Sequence, residues 1–74
     1  MKRYFFDFVR EAQILHDHQG IYCAGPEVAR ERAELIAIDL ELSPNGEWAG
    51  WQVCARDVEG HECFSTTVRA AEAA

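Results

Sequence analysis

The feature that most constrains the fold is one stretch with a helical period of apolar residues, from Pro26 to Ser43. At about 100° per residue, one arc collects small and aliphatic side chains: Ala29, Ala33, Ile36, Ala37 and Leu40. Pro26 suits the first helical position, because its missing N–H has no partner there, and Gly25 is then the N-cap. The residue before Pro44 is pushed away from helical geometry, so the helix should end at Ser43. We therefore predict one helix over residues 26–43 that packs on a sheet.

Stretches with the alternation of β-strands flank this helix on both sides. Residues 2–10 and 13–16 precede it, and residues 47–56 and 61–69 follow it. Each half contains an Asp-x-x-Gly turn, at Asp17 and at Asp57, where the carboxylate can accept hydrogen bonds from nearby backbone N–H groups. Residues 21–23 form a brief extended piece before the helix. The order β-β-α-β-β predicts an α+β domain: an antiparallel sheet of two hairpins with one helix packed on one face.

The hydrophobic pattern also predicts which strand residues face the helix. In the first strand, Tyr4, Phe6 and Phe8 share the better core face, and Arg3, Phe5, Asp7 and Val9 share the other. The second hairpin is expected to pair Val53 with Phe64 and Trp51 with Thr66, so that the large apolar residues lie together. The sheet face under the helix should then carry Phe6, Phe8, Val53 and Phe64.

Length and composition limit the function classes. The 74 residues are enough for one small domain, with residues 70–74 expected to be a frayed tail. The net charge of −6 argues against binding to phosphate backbones, because there is no cationic excess to displace counterions. The apolar run at the N-terminus is broken at Asp7, and no stretch is long enough to span a membrane. We expect a cytoplasmic protein whose three cysteines are free thiols.

Several short motifs carry a resemblance to a known group of proteins. They are Arg3-Tyr4-Phe5-Phe6-Asp7, Asp17-x-x-Gly20, Ala29-Arg30, and Val53 with Asp57-x-x-Gly60. The chain resembles a family of small bacterial proteins of unknown function that open with an Arg-Tyr-Phe-Phe-Asp or Arg-Tyr-Tyr-Phe-Asp stretch. It departs from that pattern at Gly25, where such proteins more often carry Asp as a helix cap, and in a shorter connection after the first strand. The resemblance implies a stand-alone bacterial domain and no particular activity.

Histidines and cysteines at close spacing raise the question of a metal or thiol site. His16-x-His18 and His61-x-Cys63 each place two ligand types on one side of an extended segment. Neither has the spacing of a known zinc motif. The expected register also sets Cys54 opposite Cys63 on the sheet face away from the helix, near His61. A thiol or metal site formed by these three residues is therefore an alternative, although we expect no bound metal or cofactor.

Catalysis and nucleic-acid binding are disfavoured in turn. Asp17 and Asp57 are explained as turn residues, and Asp7 should face solvent or pair with Arg3. No nucleophile stands beside a base, so we expect no enzyme activity. Four aromatic residues could form a stacking platform of the kind found in RNA-binding modules: Trp48, Trp51, Phe5 and Tyr22. The acidic balance argues against that function, which remains an alternative only as weak binding through a local patch.

The helix carries a second apolar group beside its sheet-facing arc. Its members are Val28, Leu35, Ile38 and Leu42, with Glu31 next to them. Phe5, Val9 and Trp48 add apolar surface off the main core face. We predict an interface formed by Leu35, Ile38 and Leu42, and the simplest partner is a second copy of the chain. The alternatives are a different protein, or coverage of these residues by loops or a hairpin of the same chain.

Overall fold

A central strand organises the sheet in the computed structural model, which describes residues 1–70. The elements in chain order are β1 (Lys2–Arg10), β2 (Gln13–Leu15), β3 (Ile21–Cys23), α1 (Pro26–Glu41), a single 3₁₀ turn (Pro44–Gly46), β4 (Gln52–Arg56) and β5 (Glu62–Thr67). All strand pairings are antiparallel. The predicted α+β class, with an antiparallel sheet and one helix, is confirmed. Apart from Ala70, the expected tail lies outside the described residues.

The second strand of the first hairpin is split into β2 and β3, which both pair with β1. Phe8 pairs with Leu15, whereas Tyr4 pairs with Ile21, so two more residues lie on the second strand than on β1 between these pairs. The predicted turn at Asp17–Gly20 is therefore an insertion within a strand rather than the end of a hairpin. The hairpin itself turns at Glu11, which has a φ of 53°. Within residues 1–70 the sheet consequently has five strands, one more than the predicted order.

β1 pairs along its other edge with β4, and β4 pairs with β5. The pairs of β1 with β4 run from Phe5 with Arg56 to Val9 with Gln52. This places β1 in the middle of the sheet, a strand order that the local sequence patterns did not predict. β4 is shorter than predicted because residues 44–50 form successive turns, with Gly50 at a φ of 88°.

The helix packs on the sheet through the small residues predicted from its periodicity. Ala29, Ala33 and Ala37 are buried, and Ile36 and Leu40 pack against the same core. The sheet contributes large residues to this core: Tyr4, Phe6, Phe8, Val53 and Phe64. The predicted core face is thus confirmed, and the alanines allow a close approach of helix to sheet. The helix ends two residues before Ser43, because its last N–H groups bond to carbonyl groups three residues back.

The expected register of the second hairpin is wrong by two residues. Val53 pairs with Thr66, and Ala55 pairs with Phe64. Arg56 pairs with Glu62, so Cys63 is an extra residue on β5 next to a bulge. The loop extends to His61, because Asp57 exchanges backbone and side-chain hydrogen bonds with that residue at 2.9 Å. A two-residue shift keeps Val53, Phe64 and Thr66 on their predicted face, which is why the core forms as expected.

Candidate interaction surface

A stripe of apolar side chains runs along the side of α1 that faces away from the sheet. We call it the outer stripe, and it consists of Val28, Leu35, Ile38 and Leu42. Their exposed fractions are 42, 57, 48 and 79%. The described part of the chain therefore leaves all three predicted interface residues in contact with solvent. Coverage by the chain's own hairpin, one of the alternatives raised by the sequence, does not occur within residues 1–70.

Charged residues flank the outer stripe differently on its two sides. On one side the acidic groups are already paired within the chain: Glu34 lies 3.3 Å from Arg30, and Glu41 lies 3.6 Å from Arg69. On the other side lie Arg32 and Asp39, two turns apart, and both are exposed. Within residues 1–70, none of the ion pairs involves either of these two. The stripe thus has one internally neutralised flank and one flank with two opposite, free charges.

The sheet face opposite the helix holds a buried carboxylate. Asp7 is only 5% exposed, and Arg56 Nε donates a hydrogen bond of 2.6 Å to its Oδ2 atom. The Asp17 N–H donates to Oδ1 at 2.9 Å, and His16 Nδ1 lies 3.6 Å from the same oxygen. The expectation that Asp7 pairs with Arg3 or faces solvent is wrong. The partner is Arg56: Cys54 lies directly opposite Asp7, and Arg56, two residues along β4 from Cys54, is the diagonal neighbour on the same face.

Asp17 supports the split in the second strand with its own carboxylate. Phe6 has no strand partner on this edge of β1, and its N–H donates to Asp17 Oδ2 at 3.1 Å. The same carboxylate accepts from the N–H groups of Gln19 and Gly20 at 3.0 and 3.2 Å. Partial burial opposes ionisation, but these hydrogen bonds outweigh it and hold the pKa of Asp17 below its ordinary value. The predicted role as a turn residue is confirmed and extends to β1.

Two guanidinium groups cover Phe5 on this open face. The Arg56 carbon Cζ lies 4.6 Å from the centre of the Phe5 ring, and that of Arg3 lies 5.1 Å from it. Arg3 is held in place because its Nε donates to the Gln19 carbonyl oxygen at 2.7 Å. The cations of this face are thus used inside the chain. They help to cover the Phe5 ring, which was expected from the sequence to add exposed apolar surface.

A known protein family matches almost the whole of this fold. Residues 3–69 match the family described as a domain of unknown function, DUF6894. The chain belongs to the DUF6894 family. The match includes every strand and the helix, apart from the first residue of β1. No curated protein and no solved structure matches the chain.

In this DUF6894 domain the cysteines and histidines of the second hairpin do not come together as expected. Cys54 lies opposite Ser65 rather than Cys63, since the register is shifted. Burial, followed by the nearby Glu62 carboxylate, raises the pKa of Cys54 to about 11. Burial and the charge of Asp57 also raise the pKa of Cys63. A raised pKa lowers the fraction of thiolate at neutral pH, so neither thiol is activated as a nucleophile.

No group of three or more His, Cys, Asp or Glu side chains in residues 1–70 has the arrangement of a metal site. His16 lies beside Asp7, and His18 is exposed on the inserted turn. His61 interacts with Asp57, whose carboxylate accepts two backbone N–H groups. His16, His18 and His61 therefore lie in or beside turns of the DUF6894 domain, and Cys63 lies in β5.

The four aromatic residues considered as a stacking platform are divided between the two faces of the sheet. Trp48 makes edge-to-face contacts with Phe8 and Trp51, at centroid distances of 5.4 and 5.3 Å. Both tryptophans belong to the core on the helix side. Phe5 lies on the opposite face. Tyr22 lies on that face too, because it pairs with Arg3, whose side chain points to the same side as Phe5. The expectation that Trp48 adds apolar surface off the core face is therefore wrong.

A shallow apolar groove lies between the helix and the edge of the sheet formed by β2 and β3. Its volume is about 370 Å³, and its walls include Phe8, Leu15, Ile21, Ile36 and Trp48. Sequence reasoning missed this groove, as it missed the Asp7–Arg56 pair, because both depend on which strands are neighbours. The one signal available was Asp7 itself, a charged residue between two phenylalanines.

No helix in the described residues has the length and apolar character required to span a membrane.

Proposed function

We propose that this chain is a small bacterial interaction module that acts in the cytoplasm and associates with a second copy of itself through the outer stripe. The observation that carries the proposal is the exposure of four aliphatic side chains on one side of α1, Val28, Leu35, Ile38 and Leu42. Single exposed aliphatic residues are common on proteins, whereas several grouped on one side of a helix are typical of a contact site. A second copy is the simplest partner, because a two-fold axis needs only one self-complementary surface.

Other features of the chain support a binding role without catalysis. Both oxygens of Asp7 are occupied by hydrogen bonds within the chain, and the carboxylates of Asp17 and Asp57 hold turns. The cysteines are free, which is typical of proteins in a reducing compartment. The resemblance of the opening Arg-Tyr-Phe-Phe-Asp stretch favours a bacterial source. A surface of four side chains is small, so we expect association at micromolar rather than nanomolar concentrations.

The proposal is tested by the molar mass in solution, measured by sedimentation equilibrium from low to high micromolar concentrations. We expect the wild-type chain to shift from monomer to dimer over this range. Leu35→Glu and Ile38→Glu each place a charge in the stripe and should give a folded monomer at all concentrations. Gln52→Glu adds the same charge on the open sheet face and should associate like the wild type. Circular dichroism checks that each variant is folded. A wild-type chain that stays monomeric throughout would refute the proposal.

A further inference from the structure

The free charges beside the outer stripe define how two copies would meet. Resting on the proposed self-association, we infer that the α1 helices of the two copies pack antiparallel about a two-fold axis near Leu35 and Ile38, with Arg32 of each copy beside Asp39 of the other. The stripe has the spacing of a short coiled-coil seam. Val28, Leu35 and Leu42 are seven residues apart, and Ile38 lies between the last two. Glu31 is the polar residue at the position equivalent to Ile38.

Glu31 excludes the parallel arrangement. In a parallel two-fold pair, each seam residue faces its own copy, so two Glu31 carboxylates would meet in the interface. Glu34 of one helix would also approach Asp39 of the other, which are like charges. In the antiparallel pair, Glu31 instead lies towards the opposite end of the partner helix, beside Leu42. Its carboxylate there can reach solvent, because Leu42 is the last and most exposed residue of the stripe.

The antiparallel pair also places the charged residues on both sides of the outer stripe in favourable or tolerable positions. Arg32 and Asp39 occupy equivalent positions seven residues apart, so reversal of one helix brings each Arg32 opposite an Asp39, twice per dimer. On the other flank, Glu34 would approach Glu41 of the second copy. Those acids already have Arg30 and Arg69 as partners within their own chains, which reduces the repulsion. Arg32 and Asp39, which have no ion-pair partner within residues 1–70, are thus the ones that complement each other between copies.

The test exchanges the two charges. Arg32→Asp and Asp39→Arg alone each place like charges opposite one another in a homodimer, and each should weaken self-association roughly tenfold. A mixture of the two variants should form heterodimers in preference to either homodimer, because both contacts then join opposite charges. The double variant Arg32→Asp/Asp39→Arg should associate like the wild type. Native mass spectrometry of mixtures with different isotope labels measures the heterodimer fraction.

A distance measurement provides an independent readout of helix direction. A spin label is attached after Glu27→Cys in a chain that also carries Cys63→Ser, since Cys23 and Cys54 are buried. The labels should be about 30 Å apart in the antiparallel dimer and about 10 Å apart in a parallel one, given the helix rise and usual interaxial spacing. Dipolar electron resonance distinguishes these distances.

The outcomes separate this inference from the proposal on which it rests. A wild-type chain that never dimerises refutes both. A wild-type dimer without heterodimer preference in the variant mixture, or with the short label distance, refutes the antiparallel pairing and leaves self-association standing. Preferential heterodimers together with the long distance establish both.

Discussion

Asp7 and Arg56 form an ion pair at 2.6 Å on the sheet face opposite α1, and the Asp7 side chain is 7% exposed there. β1 and β4 each contribute one partner, so the pair connects the two halves of the chain. Asp7→Ala should lower the free energy of unfolding by about 2–4 kcal/mol, because it leaves Arg56 partly buried without its counter-charge. Glu34→Ala removes the exposed pair with Arg30 and should cost at most about 0.5 kcal/mol. Urea denaturation measures the free energy of unfolding of both variants. Equal losses would contradict the expectation that the buried ion pair stabilises the fold more than the exposed one.

Asp17 should make the stability of the domain depend on pH in the acidic range. Its pKa in the folded state is lowered below the ordinary value of 3.8, so its contribution is complete above that value and is lost as the pH falls through the folded pKa. Asp17→Asn should lower the free energy of unfolding by about 1–3 kcal/mol at pH 7. The difference from the wild type should shrink below about pH 4. Denaturation curves from pH 7 to 2.5 test this, with Glu59→Gln as the control. A difference that stays constant with pH would be inconsistent with ionisation as its source.

Gly20 and Gly46 provide a matched pair for the inserted turn. Both have a positive φ, 73° and 60°, which side chains rarely adopt. A Cβ atom on Gly20 would lie 2.8 Å from the Tyr4 carbonyl oxygen, whereas one on Gly46 would meet open space. Gly20→Ala should therefore cost about 2–4 kcal/mol and Gly46→Ala about 1 kcal/mol. Thermal denaturation compares them. Equal costs would mean that the insertion can move away from β1.

The thiols should react slowly and in a fixed order. Cys63 is exposed, so it should be the first to be alkylated, at a rate below that of a free thiol because its pKa is raised. Cys54, with a pKa of about 11, and the buried Cys23 should react only after unfolding. Mass spectrometry after timed iodoacetamide treatment at pH 7.5, with and without urea, follows each site. Rapid labelling of Cys54 in the native protein would argue against its burial.

Local patterns predicted the elements that depend on neighbours in the sequence. β1 matches its predicted range residue for residue, because Tyr4, Phe6 and Phe8 recur at every second position of an aromatic-rich stretch. The register of β4 with β5 could not be predicted in the same way. A shift of two residues leaves the faces of Val53 and Phe64 unchanged, so hydrophobicity alone does not distinguish the two registers. The hydrogen bonds between Asp57 and His61 decide between them, and these depend on the three-dimensional form of the loop.

In the candidate site, too, local features could be predicted from the sequence and long-range contacts could not. The exposure of Leu35 and Ile38 could be anticipated, because their position on the helix follows from a fixed angle per residue. The partner of Asp7 could not, because it required the order of strands in the sheet. Long-range pairing is set by the combined packing of several elements, and no single stretch of sequence contains it.

The central position of β1 has a consequence for synthesis of the chain. Among the strands of this domain β1 leaves the ribosome first, yet its partner β4 follows only after the whole of α1. Until then one edge of β1 has unpaired backbone groups, and the aromatic rings of Tyr4, Phe6 and Phe8 have no stable cover. Closing so long a loop is entropically costly, so the domain should fold late and as one unit. A nascent chain stalled before β4 is consequently the form most at risk of aggregation and of capture by chaperones.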